Sequence, residues 1–427
     1  MKKMIRFLLP VLAVLLIFAV RSAVLVNSSV EPVMESPEYA YRILEDGSAE
    51  ITKYLGIADS GLVIPQVLDG HKVTAIGYRA FSGSDSTSVT IPEGVTSIGE
   101  EAFSYSDMTS VSIPEGVMTI GDGAFAFADL TSVSIPESVN SIGGWAFFLN
   151  KHLTSVSIPE GVLSIGESAF SFTGLTSVTI PESVTFIGAD AFSITDLTSV
   201  VIPESAVSIG DGVFSGCHSL TSVTIPAGVT SIGAKAFFGS GLTSLTIPEG
   251  VTAIGDGVFA ECRDLATVMI PESVTTIGDH AFSDSGLTSV HIPESVTVIG
   301  DGAFAECRDL ATVMIPESVT VIGDHAFSGC RGLTSVTIPG SVAAVGDLAF
   351  SYSGLTSVTI REGVTAIGVQ AFMGCRSLTS VIIPDSVTTI GVFAFMDCDQ
   401  AVLTVGPGSY AEKYAADEQI AFVHPDR

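Results

Sequence analysis

The sequence predicts a β-solenoid, in which near-identical coils of chain stack along one axis and each buries its neighbour's apolar edge. Three observations carry this prediction. The segment Val156-Ser157-Ile158-Pro159-Glu160-Gly161-Val162 returns every 22 or 23 residues, for example at Val111–Val117, Val223–Val229 and Val381–Val387. A fixed period of that size is the signature of a stacked repeat. A phenylalanine column recurs in phase with it, from Phe81 and Phe103 through Phe214 to Phe372 and Phe395. The apolar share of 47% supplies a continuous core along the whole 427-residue chain, which argues against disorder.

In chain order, the first residues read as an export signal. Lys2, Lys3 and Arg6 precede the apolar run Phe7 to Val20, an n-region followed by an h-region. Cleavage after Ser22 or Ser28 leaves Val20 or Val26 three positions before the cut. The alternative is an uncleaved anchor from Phe7 to Val26, whose 20 residues just suffice to span a bilayer. Either way, residues 1–28 stand apart from the rest. Tyr41 to Tyr54 then reads as a hairpin turning at Asp46-Gly47, and Val63 to Gly77 as a stretched first unit.

Leu153 to Gly174 serves as a specimen coil. Leu153, Val156 and Ile158 stand at the offsets L-x-x-L-x-L of a leucine-rich repeat. In an extended strand Val156 and Ile158 face inward while Ser155 and Ser157 face out. Pro159 has no N–H and ends the ladder. Glu160-Gly161 turns the chain, and Val162 and Ile165 point inward again. Gly166 has an equivalent in all 15 units from Gly77 to Gly391, which implies either a positive φ or a close backbone approach. Ala169-Phe170 folds back into the core as a short 3₁₀ or helical turn. Each buried phenylalanine contributes about 1.5–3 kcal/mol.

The two unit lengths have a common cause. The shorter runs Phe170-Ser-Phe-Thr-Gly-Leu175, the longer Phe214-Ser-Gly-Cys-His-Ser-Leu220. Each complete longer unit has Asn or Cys three residues after its Phe, at Asn150, Cys217, Cys262, Cys307, Cys330 and Cys375, and Cys398 continues the series. This is the position where a leucine-rich repeat turns a side chain inward to meet loop backbone groups. Buried free thiols follow. A bridge between the adjacent-coil pairs Cys307/Cys330 or Cys375/Cys398 is within Cα reach at about 5 Å, but stacked parallel side chains rarely present the required torsion.

The unit L-T-S-V-[ST]-I-P-[ED]-[GS]-V-T-x-I-G-[DE]-x-A-F resembles the BspA-like leucine-rich repeats of bacterial and some protist surface proteins, over about residues 60 to 400. The resemblance implies a curved, mainly β leucine-rich repeat solenoid with parallel strands on one face and short strands or 3₁₀ turns on the other. Residues 29–80 then resemble an N-terminal cap and 81–400 hold the repeats. Residues 401–427, with a short helix over Gly408–Ala415 and a strand at Ile420–Val423, resemble the C-terminal cap that covers the last apolar edge. The resemblance also implies export, display at the cell surface, and attachment to a protein or glycoprotein such as a host or matrix protein.

Charge narrows the partners. There are 46 acidic and 17 basic residues, net −29, so nucleic acid, which needs clustered Lys/Arg, is excluded. Membrane contact is expected only through the N-terminal segment, and the chain reads as a monomer without a cofactor. An acidic row runs from Glu93, Glu115 and Glu137 to Glu294 and Glu317, broken at Ala227 and Gly340. Neighbours about 5 Å apart in water repel by roughly 0.8 kcal/mol before screening. That is tolerable without calcium, so the row reads as a solvated rim. Asp279-His280 and Asp324-His325 mark a duplicated pair of units rather than a catalytic dyad. No phosphate loop, nucleophile elbow or metal-spaced histidine cluster occurs, and no enzyme is predicted.

On the outer strand face, small hydroxyls form two ladders, including Ser110, Ser132 and Ser155, and Ser112, Ser134 and Ser157. Val201, Met269, His291, Met314 and Ile382 interrupt them, and these larger residues are the expected contact points. A structural or secreted scaffold without a dedicated ligand is the alternative.

Overall fold

The computed structural model describes residues 33–57 and 60–425. The signal or anchor expected over residues 1–28 lies outside the described residues. Among those described, no helix is long and apolar enough to cross a membrane.

Each coil contributes one strand to each of two parallel ladders. In the first, Ser132–Ser134, Ser155–Ser157 and Ser177–Thr179 pair in register. Inward valines alternate with outward hydroxyls there, as the period of two requires. In the second, Ile98, Ile120, Ile142, Ile165 and Ile187 stack on one another. Second-ladder strands lie in a ten-stranded, a two-stranded and a seven-stranded sheet, whereas the first ladder is divided into groups of two to five strands. At the N-terminal end, Tyr39–Ile43 and Ala49–Tyr54 form an antiparallel hairpin. Its Gly47 has φ 81°, and Asp46 accepts from the Ser48 amide and hydroxyl. At the other end, Ser409 caps the helix Tyr410–Asp417, whose Ala411 and Ala415 are buried. Ala421–Val423 then adds a parallel strand to Val402–Val405.

The phenylalanine column is continuous. From Phe81 to Phe395 successive ring centroids lie between 5.0 and 5.9 Å apart and every pair is stacked. Tyr54 stacks on Phe81 at one end and Tyr414 meets Phe395 edge-on at the other. The column is therefore closed at both ends by tyrosine rings.

The repeated glycine is explained by close approach, not by positive φ. A Cβ on Gly166 would lie 2.3 Å from the Gly144 nitrogen, so the coils can stack only where that atom is absent. Left-handed backbone falls two residues later, at Ser168 (φ 53°), and again at Phe172 (φ 58°). The Ala-Phe segment does close i→i+3 hydrogen bonds, Ala169 to Gly166 and Ser171 to Ser168. The left-handed residues make it a succession of β-turns rather than a continuous 3₁₀ helix. Its alternate amides are then free to reach the next coil. Ser168, Phe170 and Phe172 donate to the carbonyls of Ala189, Ala191 and Ser193.

The residue after each rim glutamate is Gly or Ser for a related reason. Ser183, Ser205, Ser295 and Ser318 each donate to a valine carbonyl of the preceding coil, at 2.6–2.7 Å. These bonds tie the exposed turn to the stack.

One turn carries a titrating strain. Burial, with Glu167 and Asp211 nearby, pushes Asp190 up to about 6. The folded value lies above the unfolded one, so stability falls as pH rises from about 4 to about 6 and the penalty is complete above that. Asp190→Asn is expected to stabilise the protein by about 1–2 kcal/mol at pH 8, after discounting for partial exposure. Asparagine tolerates the left-handed backbone at this position. The gain should vanish at pH 4; equal denaturation midpoints for both proteins at pH 8 would refute the assignment.

Candidate strand-face binding surface

The third residue of each first-ladder strand projects outward and forms a single column. Ser134, Ser157 and Thr179 align within it, as do Val201 and Thr224, Thr246 and Met269, His291 and Met314, and Thr359 and Ile382. Inward neighbours are held by core packing, so the outward side chain is free to vary without disturbing the coil. Val201, Met269 and Met314 are 65, 68 and 73% exposed, Ile382 44%, and His291 is exposed.

Met269, His291 and Met314 stand on three successive coils and make one ridge of large side chains, an imidazole between two thioethers. Val201 lies three coils before it and Ile382 three coils after, separated from it by threonines. The five expected contact points therefore resolve into one cluster and two isolated residues.

Three residues further along each of these coils stand Glu272, Glu294 and Glu317, all exposed. They flank the ridge as a parallel acidic row. Gly340 leaves a gap in that row, and Arg361, standing where neighbouring coils have proline, reaches across it to pair with Glu317. Arg361 also donates its amide to the Ile338 carbonyl at 3.0 Å, a bond that proline lacks. Beside this pair is a depression of about 410 Å³ lined by Met314, Pro316, Thr337, Pro339, Glu294 and Arg361. The only polar chemistry offered here is hydrogen bonding and charge. Among the described residues no group of three or more His, Cys, Asp or Glu is arranged to hold a metal ion.

The cysteines lie elsewhere, buried and free. Cys217, Cys262 and Cys307 each donate to the phenylalanine carbonyl of the preceding coil, at 3.1–3.2 Å. Asn150 does the same for Phe125 and also donates to Phe147. In the shorter units Thr173 and Thr195 donate to their own coil's Phe carbonyl instead. One extra residue thus moves the donor from its own coil to the one before. Burial pushes the Cys217 and Cys262 thiols up to about 11 and Cys307 up to about 12, which keeps them protonated and unreactive.

A second apolar stripe escaped the sequence reading. Two residues after the core Phe, five successive coils carry Tyr105, Phe127, Leu149, Phe172 and Ile194, all in the left-handed region. Gly83 and Gly216 bound the series. Tyr105 stacks on Phe127 at 4.4 Å, and Phe148 sits edge-on to both Phe127 and Phe172. Trp145 and Phe148 are buried beneath. The signal was present as a run of apolar residues at one coil position, hidden because in later coils that position holds Gly or an acid, except at Tyr352.

Comparisons with known proteins agree with this geometry. The model of the BspA type leucine-rich repeat region matches residues 74–198, 185–311 and 297–409. A solved leucine-rich repeat protein from Bacteroides ovatus is 27% identical with a TM-score of 0.65, over 92% of this chain and all of that one. A leucine-rich cell surface protein from Faecalibacterium prausnitzii is 30% identical with a TM-score of 0.52, over 91% of this chain and 98% of that one. The pneumococcal vaccine antigen PcpA shares the fold, with a TM-score of 0.55 at 17% identity over 94% and 100%. The chain matches no curated protein. The matches are to a repeat scaffold and indicate no catalytic family. From its period, its stacked core and these matches, the chain belongs to the BspA-type leucine-rich repeat family.

Proposed function

We propose that this is an exported, cell-surface binding protein that attaches to a protein or glycoprotein through its strand face. The supporting observation is the ridge Met269–His291–Met314, three large exposed side chains on adjacent coils of a face built mostly from serine and threonine. Exposed methionine is a costly choice on a solvated surface, and its flexible thioether adapts to a partner's contours. The flat hydroxyl ladders on either side exclude little and discriminate little. Surface display is supported by the name of the F. prausnitzii relative, a cell surface protein, and by the basic-then-apolar start of the chain.

The test is solid-phase binding to a panel of extracellular matrix proteins, comparing the intact protein with a variant carrying Met269→Ser, His291→Ser and Met314→Ser. Burying two methionines in a complex is worth enough that affinity should drop at least about tenfold. Unchanged affinity for a matrix protein that the intact chain binds would rule out this face.

A further inference from the structure

We propose that the ridge receives a cationic amphipathic helix of a partner protein, lying along the stacking axis. This inference rests on the reading of the strand face given above and names the shape and charge of what binds there.

Spacing comes first. Neighbouring strands of this face lie about 4.7–4.9 Å apart, and the core rings behind them from Phe259 to Phe327 are 5.4, 5.3 and 5.2 Å apart. An α-helix advances about 5.4 Å per turn. A helix laid parallel to the axis therefore offers one apolar residue per coil, at i, i+4 and i+7, to Met269, His291 and Met314. An extended segment repeats its same-side residues every 6.6–6.8 Å or so and falls out of step by the third coil.

Charge comes second. Glu272 and Glu294 run beside the ridge at the same one-per-coil interval. Among the described residues neither belongs to an ion pair, whereas Glu317 is already held by Arg361. A helix with Lys or Arg on the flank of its apolar stripe would meet both free carboxylates while its stripe covers the methionines. The chain's net charge of −29 draws such a segment in and repels acidic ones. The depression beside Met314, walled by Pro316 and Pro339, gives the end of the stripe a place for one larger side chain.

The probe is a synthetic 18-residue peptide with leucines at i, i+4 and i+7 spacing and lysines on one flank. A peptide of the same composition with two residues changed to proline, which cannot form the helix, is the comparison. Fluorescence anisotropy should show saturable binding of the helical peptide to the full chain and at least about tenfold weaker binding of the proline version. Glu272→Gln with Glu294→Gln should weaken the helical peptide about three- to tenfold, the range for two exposed ion pairs. Glu115→Gln with Glu137→Gln, in the same acidic row beside serine ladders, should leave it unchanged.

Equal losses in both glutamine pairs would reduce the interaction to general attraction between polycation and polyanion and overturn the proposal. Equal binding of the proline peptide would overturn the helical requirement. If the triple serine variant loses its matrix ligand while the helical peptide binds nowhere, the helix proposal falls and the reading of the face stands. If that variant keeps its ligand, both fall. All variants are at exposed positions, and unchanged melting curves would show that folding is not the cause of any loss.

Discussion

Phe214→Ala is expected to destabilise the solenoid by about 3–5 kcal/mol, the cost of emptying a fully packed aromatic site. The ring is completely buried, stacked between Phe192 at 5.9 Å and Phe237 at 5.6 Å. Both neighbours lose a partner, so stacking of roughly 0.5–1.5 kcal/mol per pair disappears along with the buried area. In a repeat array each coil is supported only by those on either side. A central cavity therefore weakens the coupling between the two halves, and equilibrium denaturation should broaden or split into two transitions. The same change at Phe395, which has one phenylalanine neighbour and an edge contact with Tyr414, should cost less and leave a single transition. A loss below about 1 kcal/mol at Phe214 would mean that the column is not the energetic spine.

Gly166→Ala is expected to be nearly as damaging despite adding a single methyl group. The new Cβ would lie 2.3 Å from the Gly144 nitrogen and 2.5 Å from the Gly143 carbonyl carbon. These are backbone atoms of the adjoining coil and cannot step aside without breaking the ladder between Ile142 and Ile165. The cost should reach about 3 kcal/mol, the upper end for overpacking. Gly239→Ala is the informative contrast. Gly239 has φ +63° but open space around it, with His218 no nearer than 3.6 Å. Its column already holds Glu261, Asp284 and Glu306 in the same conformation. It should cost only about 1 kcal/mol, the usual left-handed penalty. Comparable losses at the two glycines would show that coil spacing is not what fixes the repeated glycine.

That contrast also marks how far the sequence alone can be read. Its period, the inward Val156 and Ile158, the Phe column and the Cys/Asn position were all legible, because each depends on a rule that repeats in every coil. Gly166 was legible as a constraint but not as a mechanism, since positive φ and close approach both select glycine. The left-handed turns were hidden because Trp145, Lys235 and His280 occupy positions where sequence rules expect Gly or Asn. Five large residues on one face were visible, yet only the stacking of the coils shows that Met269, His291 and Met314 adjoin while Val201 and Ile382 stand alone. The pairing of Glu317 with Arg361 depends on a long side chain crossing Gly340, two coils apart in sequence, and no local pattern announces it.

Two surfaces of large side chains, at different positions of the coil, compete for the proposed binding role. One is the strand-face ridge; the other is the left-handed stripe on the turn face, whose exposed end is Tyr105. The stripe is backed by its own small core of Trp145 and Phe148, which gives it a structural reason to exist. The ridge has nothing beneath it except the common core, and removing it leaves every coil intact. The most direct measurement is therefore a paired affinity comparison on one matrix ligand. One variant carries Met269→Ser, His291→Ser and Met314→Ser, the other Tyr105→Ser. The strand-face assignment predicts at least about a tenfold loss for the first and none for the second. Full affinity in the first with loss in the second would contradict it and move recognition to the turn face.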